Sequence, residues 1–366
     1  MKIILVAGAR PNFMKIAPVI RAMETTGGID WQLVHTGQHY DHEMSQSFFE
    51  DLEIPEPHFF LDAGSGSHAE QTAKVMVAFE QVCQAEQPDW VLVVGDVNST
   101  LACSVVAKKQ GIGVAHVEAG LRSFDLSMPE EINRMVTDAI SDLFFVTEES
   151  GRVNLLKEGK QEESIHFVGH VMVDNLLHQL GKVEATQEGL FSFAPLKRKL
   201  GRYLFLTLHR PSNVDDPKVL AGIIAALNKI AESVPIVFPV HPRTSRRLQE
   251  FDLELSERIH RLPPLGFRDS LHLWKDAALV LTDSGGLQEE TSALGVRCLT
   301  LRENTERPVT CELGSNVLVG NNPDRILDAI HEYLDAGQDS GKVPPLWDGR
   351  AAERIVSVLL EQGRRP

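Results

Sequence analysis

Acidic side chains follow two apolar runs in the first half of the sequence. Asp96 comes just after the run at 90–94, and Glu118 comes directly after the run at 113–117. A third acidic position, Glu130, follows a proline at the start of a helix-length segment. Carboxylates grouped in this way could transfer protons or stabilise a developing positive charge. Each alone also fits an ordinary structural role, because a carboxylate is favourable at the start of any helix.

A glycine turn with nearby cations ends the first apolar run. Gly8 is followed by Arg10, and Lys15 lies within the helix-length segment that begins there. A helix start next to two cations favours an anionic group. A tight turn with two solvated cations is the alternative. The spacing differs from GxGxxG, so a nicotinamide cofactor is not predicted.

Two histidines in the second half stand at similar positions. His209 and His241 each follow an apolar run, and each lies within two residues of an arginine. A lone histidine is usually a hydrogen-bonded structural residue. Two such histidine and arginine pairs instead favour a site for an anion such as a phosphate.

The clearest phosphate signal follows the apolar run at 279–282. Ser284, Gly285 and Gly286 open a helix there, where backbone N–H groups could meet phosphate oxygens and glycine permits close approach. Glu290 lies roughly two turns further on and could accept hydrogen bonds from ribose hydroxyls. The alternative is an ordinary turn followed by a solvated acidic helix.

Apolar, β-branched runs alternate with amphipathic stretches along the whole sequence and would place these residues at strand ends. This alternation predicts an α/β fold with parallel sheets covered by helices. Helices are expected at 14–24 and 69–86, for example. Strands are predicted at 3–7, 32–36, 90–94, 113–117, 143–146, 166–168, 203–208, 236–240, 259–262, 279–282, 297–301 and 316–319.

A polar stretch at about 181–189 interrupts this rhythm and predicts a linker with a short helix. We therefore expect two Rossmann-like domains, at 1–175 and 176–349, with an interdomain cleft. In open parallel sheets, ligands bind at the carboxyl ends of strands, which is where the residues above lie.

Composition excludes several classes of protein. Hydrophobic residues make up 43% and charged residues 24%, and no apolar run approaches the roughly 18 residues that span a bilayer. A net charge of −15 opposes binding to nucleic acid or an anionic membrane. The four cysteines lack CxxC spacing, so neither a disulfide nor a metal site is predicted. The first residues lack an export signal, and a cytoplasmic location is expected.

Taken together, these motifs resemble the non-hydrolysing UDP-N-acetylglucosamine 2-epimerase family. The resemblance runs in order from about residue 3 to residue 310. It rests on the motifs at 8–11, 95–96, 116–122, 129–134, 207–210, 284–290 and 306–308.

The resemblance implies a GT-B arrangement of the two domains, a C-terminal helix at about 350–366 that joins the first domain, and a homodimer. It also implies roles for individual residues. The expected catalytic residues are Asp96, Glu118, Glu130, Lys15 and His209. The expected substrate-binding residues are Ser284, Gly285 and Gly286 for phosphate, Glu290 for the ribose, Phe267 for the uracil, and His241, Arg10 and Arg134.

The loop between Glu118 and Pro129 is one residue shorter than in familiar members. The first glutamate of the following pair, Glu130, is therefore aligned with the catalytic one. The segment at 64–71 lacks the arginine that helps to hold an activating second substrate in bacterial members. These departures are similar to a subgroup that includes epimerases of 2,3-diacetamido glucuronate nucleotides.

The implied reaction inverts C2 of a UDP-N-acetylhexosamine by eliminating UDP and adding it back, without a metal or another cofactor. A hydrolysing 2-epimerase would release N-acetylmannosamine and UDP. A GT-B glycosyltransferase would need an acceptor. A non-catalytic sensor of nucleotide sugars would have little use for three carboxylates.

Overall fold

Two parallel β-sheets organise the chain. The computed structural model describes residues 1–37, 49, 53–64, 66–305, 307–335 and 342–363. The chain divides into a first unit, Met1–Asn175 with Pro345–Pro366, and a second unit, Leu176–Pro344. This confirms the predicted α/β class.

The first unit contains a parallel sheet in the order β3-β2-β1-β4-β5-β6-β7. Its strands are β1 Lys2–Ala7, β2 Asp30–His35, β3 Phe59–Phe60, β4 Trp90–Val94, β5 Gly113–Val117, β6 Leu143–Val146 and β7 Ile165–Phe167. The helices that begin in this unit are α1 Arg10–Thr26, α2 His68–Glu86, α3 Asn98–Lys109, α4 Pro129–Ile140, α5 Glu149–Lys157, α6 Val171–Ala185 and, near the end of the chain, α15 Ala351–Gln362.

The second unit contains a parallel sheet in the order β10-β9-β8-β11-β12-β13. Its strands are β8 Leu204–Thr207, β9 Ile236–Pro239, β10 Ile259–Leu262, β11 Leu279–Thr282, β12 Cys298–Thr300 and β13 Asn316–Leu318. Its helices are α7 Ala194–Leu200, α8 Pro211–Val214, α9 Pro217–Ala231, α10 Pro242–Glu250, α11 Phe267–Trp274, α12 Gly285–Ala293, α13 Val309–Glu312 and α14 Pro323–Asp335.

The apolar runs form strands because helices cover both faces of each sheet. In β1, Ile3 and Leu5 join one core cluster, whereas Ile4 and Val6 join another. Successive side chains of a strand point to opposite faces, so a continuous apolar run satisfies both. No helix among the described residues is long and apolar enough to cross a membrane.

The predicted strands all occur, with ends that differ by no more than two residues. The short strand β3 was not predicted, because two residues are too few to show a period. The predicted linker at about 181–189 was wrong in its first half. Helix α6 continues to Ala185, since Leu176, Leu180 and Val183 repeat at helical spacing and Gly181 does not end it.

Helix α15 belongs to the first unit and packs against α1. Its amino end is held by Asp174, a buried residue of α6. The carboxylate accepts hydrogen bonds from the backbone N–H groups of Ala351, at 3.1 Å, and Ala352, at 2.7 Å. The carboxylate therefore caps the amino end of the helix although Asp174 is distant from it in sequence.

Asp174 should make the stability of the fold depend on pH. Burial raises the pKa of Asp174 to about 6, although the two backbone hydrogen bonds oppose the rise. Because this pKa exceeds the unfolded value, its contribution to stability is fully present below about pH 4 and is lost as pH rises through about 6. The whole effect amounts to about 3 kcal/mol at most.

Asp174→Asn should remove this contribution while preserving side-chain shape. We expect the free energy of unfolding of wild type to rise relative to that of the variant as pH falls from 7 to 5. Urea unfolding at both pH values measures it. Parallel pH curves for the two proteins would show that the carboxylate does not take up a proton on folding.

Candidate active site

The carboxyl ends of β4 and β5 place an acidic residue beside a lysine. The two strands are adjacent, and the N–H of Gly95 donates to the carbonyl of Val117 at 3.1 Å. Just beyond, the Glu118 carboxylate forms an ion pair with the ammonium group of Lys15, which α1 supplies. A Cβ at Gly95 would lie 3.1 Å from Lys15 Nζ and 3.4 Å from Glu118 Oε2. A side chain there would crowd the pair, and the φ angle of Gly95, +66°, lies in the left-handed region, so glycine is favoured at this position.

The backbone of Glu118 is unusual. Its φ angle is +69°, in the left-handed region that a glutamate rarely adopts. The N–H groups of Glu118 and Ala119 both donate to the carbonyl of Phe145, at 3.0 and 3.2 Å, and hold this conformation in place. Such strain costs of order 1–3 kcal/mol and occurs mainly at functional sites.

Asp96 has a cationic partner of its own. Arg134 Nη1 lies 2.5 Å from Asp96 Oδ2, and Nη2 lies 2.8 Å from Glu131 Oε2. The carboxylate of Glu131 also accepts from the N–H groups of Ser123 and Phe124, each at 3.0 Å. Burial would raise the pKa of Glu131, but these donors and Arg134 outweigh it and lower the pKa.

The two glutamates of the pair thus differ in their surroundings. Glu131 is buried and supports Arg134, whereas Glu130 is exposed in the first turn of α4. Arg134 is only 9% exposed and binds two carboxylates. In the structure its guanidinium group therefore orients Asp96. Asp96 itself is 33% exposed and remains accessible. The sequence did not indicate the role of Glu131, because adjacent glutamates look alike until the helix is placed.

In the second unit, a buried carboxylate organises the ends of β8 and β11. Asp283 accepts from the N–H of His209 at 2.9 Å and from the N–H of Arg210 at 2.8 Å. His209 Nδ1 also lies 3.1 Å from Asp283 Oδ1. Burial would raise the pKa of Asp283, but the hydrogen bonds from His209 and Arg210 lower it. Asp283 was not predicted as a site residue, although a carboxylate one residue before Ser284 was a visible signal.

The two predicted histidines lie side by side, with ring centroids 5.5 Å apart. His209 is 35% exposed, and its contact with Asp283 through Nδ1 leaves Nε2 directed away from that carboxylate. His241 Nδ1 accepts from the N–H of Arg243 at 3.2 Å, which makes Nε2 its donor. Burial and the neighbouring His209 lower the pKa of His241 and favour this neutral form.

Helix α12 presents an open amino end. Among the described residues, a Cβ at Gly286 would meet no atom within 4 Å, and one at Gly285 would meet only Arg210, with Nη2 at 4.0 Å. Arg210 is also anchored to the carbonyl of Asp283 through Nε, at 3.4 Å. Free N–H groups at a helix start with a guanidinium beside them suit an anion. The sequence prediction included the pair of His209 and Arg210 as a signal for an anion, but it gave Arg210 no role of its own.

The remaining predicted substrate-binding residues are Glu290, Phe267 and Arg10. Burial and the neighbouring Glu289 raise the pKa of Glu290 to about 8, so at neutral pH its carboxyl group largely holds a proton. Phe267 begins α11 and is half-buried. The side chain of Arg10 lies outside the described residues, as does Glu306. Within the described part of the chain, no cluster of His, Cys, Asp or Glu is arranged to hold a metal ion.

Known proteins are similar to this chain in sequence and in fold. The family model for UDP-N-acetylglucosamine 2-epimerase matches residues 21–360. The UDP-N-acetylglucosamine 2-epimerase of Methanocaldococcus jannaschii is 44% identical over 98% of this chain and 99% of its own. The UDP-2,3-diacetamido-2,3-dideoxy-D-glucuronate 2-epimerase of Pseudomonas aeruginosa is 39% identical over 99% of this chain and 100% of its own. The crystal structure of the M. jannaschii enzyme with UDP-GlcNAc and UDP matches with a TM-score of 0.83 at 43% identity, covering 99% of this chain and 100% of that one.

Proposed function

Because the chain belongs to the UDP-N-acetylglucosamine 2-epimerase family, we propose that it inverts C2 of a UDP-linked N-acetylhexosamine. The substrate is UDP-GlcNAc, which becomes UDP-ManNAc, or an analogous 2,3-diacetamido uronate. The observation that carries the proposal is the buried, backbone-strained Glu118 paired with Lys15, next to the strand end that bears Asp96.

The chemistry requires UDP to leave first. The C2 hydrogen is not next to a carbonyl, since the acetamido group is attached through nitrogen, so direct removal of the proton is unfavourable. As the C1–O bond breaks, its electron pair passes to the diphosphate and the sugar ring acquires oxocarbenium character. Carboxylates stabilise the ring, and cationic or N–H donors stabilise the leaving diphosphate.

Proton transfer at C2 completes the elimination. A base takes the C2 proton, and the C–H electron pair forms the C1=C2 double bond of 2-acetamidoglucal. Protonation of C2 from the opposite face and return of UDP to C1 give the epimer. Acids or bases are therefore needed on both faces of the ring. We assign this work to Asp96, Glu118 and Glu130, with Lys15 holding Glu118 in its ionised form.

The nucleotide is assigned mainly to residues of the second unit, with Arg10 of the first unit added at the phosphates. The open amino end of α12 at Ser284, Gly285 and Gly286, together with Arg210, would bind the diphosphate. His209 would protonate the leaving diphosphate through Nε2. The remaining assignments are Glu290 to the ribose, Phe267 to the uracil, and His241 and Arg10 to the phosphates.

Deuterium exchange tests the reaction directly. The purified protein is incubated in D2O with UDP-GlcNAc, and in parallel with the 2,3-diacetamido glucuronate nucleotide. We expect deuterium at C2 of a product that is still attached to UDP. Whichever substrate exchanges faster identifies the sugar.

Other outcomes of this experiment point to the alternatives. Free N-acetylmannosamine and UDP would indicate a hydrolysing epimerase. Binding of both nucleotides without exchange, in the absence of an acceptor, would favour a glycosyltransferase or a sensor. Either result would overturn the proposal.

We further propose that the protein is a homodimer, with α4 and the loop before it in the interface. This region carries exposed apolar side chains that a monomer would leave in water: Phe124, Leu126, Ile132, Met135 and Val136. Ile132, Met135 and Val136 share one face of α4 by their spacing, and exposed apolar residues grouped in this way are typical of an interaction site.

Met135→Asp should weaken dimerisation by about 30-fold or more, because a carboxylate would be buried without a partner in the interface. Sedimentation equilibrium measures the dissociation constant. The control is Leu190→Asp, since Leu190 is an exposed leucine of the second unit that lies outside this surface. A monomeric wild type, or equal dissociation constants for both variants, would contradict the assignment.

A further inference from the structure

A buried histidine connects the two loops that carry Asp96 and Glu118. His116 lies in β5, two residues before Glu118, and is fully buried. Its Nε2 lies 2.9 Å from the carbonyl oxygen of Gly95, the residue before Asp96. Its Nδ1 lies 2.7 Å from Oδ1 of Asp138, a fully buried residue of α4.

The partners of His116 determine its charge. The Gly95 carbonyl has only lone pairs, so Nε2 must carry a hydrogen. An ionised Asp138 carboxylate is likewise only an acceptor, so Nδ1 must carry one too. An imidazole with both nitrogens protonated is a cation.

The other contacts of Asp138 keep it ionised. Its Oδ2 accepts from the N–H of Gly120 at 3.0 Å and lies 2.7 Å from Arg122 Nη1. Burial would raise the pKa of Asp138, but His116 and Arg122 outweigh it and lower the pKa. Arg122 also pairs with Glu158, so the two cations of the cluster face two carboxylates. The cluster is therefore neutral overall, with one of its two carboxylates, Glu158, at the surface.

His116 and Asp138 together contact both of the loops that carry the acidic residues Asp96 and Glu118. Through Gly95 it holds the residue before Asp96, and through Gly120 it holds the turn that follows Glu118. That turn has little freedom, because Gly120 has a φ angle of +79° and a Cβ there would lie 2.3 Å from the carbonyl oxygen of Gly151. These contacts add to the backbone bond from Gly95 to Val117, which already joins the two strand ends.

We infer that His116, held as an imidazolium by Asp138, is a positioning residue that fixes the Asp96 and Glu118 loops relative to each other. The inference rests on the proposed function for the roles of those two carboxylates. His116 and Asp138 themselves do not touch the substrate in this scheme.

Loss of the hydrogen bonds made by Asp138 should release the Asp96 and Glu118 loops from each other. In Asp138→Ala the carboxylate is gone, so Nδ1 of His116 and the N–H of Gly120 both lose their acceptor. Asp138→Asn is the matched control, because its amide group can donate to Nδ1 of a neutral ring while its oxygen accepts from Gly120, so each bond is kept. For Asp138→Ala we expect kcat to fall about 10- to 100-fold, because small misplacement of reacting groups has effects of this size. KM and UDP affinity should change less than threefold, since all residues assigned to the nucleotide except Arg10 lie in the second unit.

The charge of the ring is measured without reference to activity. Long-range 1H–15N spectra of protein labelled with 15N-histidine distinguish an imidazolium from either neutral tautomer, and His116→Gln assigns the signal. We expect two protonated nitrogens in wild type at pH 7. A neutral His116 in wild type at pH 7 would overturn the inference even if the enzyme is an active epimerase.

The comparison of the two Asp138 variants is the second readout. Asp138→Ala should lower kcat while KM and UDP affinity stay within about threefold, and Asp138→Asn should leave kcat close to that of wild type. A further control is Asp142→Asn, a carboxylate before β6 at the opposite edge of the sheet. Unchanged kcat in a folded Asp138→Ala protein would overturn the positioning role, and the wild-type spectrum alone decides the charge if that variant fails to fold.

Discussion

Glu118→Gln is expected to lower the rate of deuterium exchange at C2 by about a thousandfold, within the range for loss of a general acid or base. The amide is nearly isosteric and tolerates the left-handed backbone about as well as glutamate. It neither accepts a proton from C2 nor balances the charge of the sugar ring. UDP affinity should remain within about twofold, because all residues assigned to the nucleotide except Arg10 follow strands of the other sheet. Exchange is followed by NMR and UDP binding by calorimetry.

The partner of Glu118 provides a control within the same pair. In Glu118→Gln the ammonium group of Lys15, which is only 13% exposed, loses its counterion, and the fold should lose stability. The double variant Lys15→Met with Glu118→Gln removes this unbalanced charge. We expect it to recover stability but not exchange, whereas Glu149→Gln on the exposed surface of α5 should alter neither. Recovery of exchange with stability, or loss of UDP affinity in parallel with exchange, would make Glu118 a structural residue.

The sequence predicted the positions of strands and strand ends well. Runs such as 90–94 and 279–282 are buried at every residue and apolar except for Thr282, and burial on both faces of a parallel sheet leaves few other conformations for them. Gly95 and Gly285 mark the turns that follow, because one needs a positive φ and the other an open helix start. The carboxyl edge of each sheet could therefore be located from residue types alone.

The partners of each side chain were harder to predict. Arg134 has the chemistry of a substrate ligand, but Asp96 and Glu131 occupy its guanidinium group. Asp283 and Asp138 lie far in sequence from the histidines that they contact. Such pairings depend on which strands are neighbours and on the rotation of a helix, which hydrophobic periodicity does not specify to within one residue. This is also why Glu130 and Glu131 could not be distinguished from the sequence.

Asp283→Asn should lower kcat by about a hundredfold through its effect on His209, since general acid catalysis contributes effects of this size. The Asp283 carboxylate accepts from Nδ1 of the ring and so keeps Nε2 directed away from Asp283, where it is proposed to protonate the leaving diphosphate. An asparagine retains one acceptor oxygen for the N–H groups of His209 and Arg210, but its amide can hold the ring in the wrong tautomer or rotation. We therefore expect a loss in kcat that exceeds the loss in UDP affinity.

A double-mutant cycle decides whether Asp283 acts through His209. If the carboxylate serves to orient the imidazole, Asp283→Asn combined with His209→Asn should be no slower than His209→Asn alone, because the second substitution has nothing left to orient. Asp276→Asn, at an exposed carboxylate of the same unit that pairs with Lys197, should leave kcat unchanged. Independent losses that multiply in the double variant would mean that Asp283 acts on the amino end of α12 instead. The orientation of His209 would then depend on its backbone hydrogen bond and on His241.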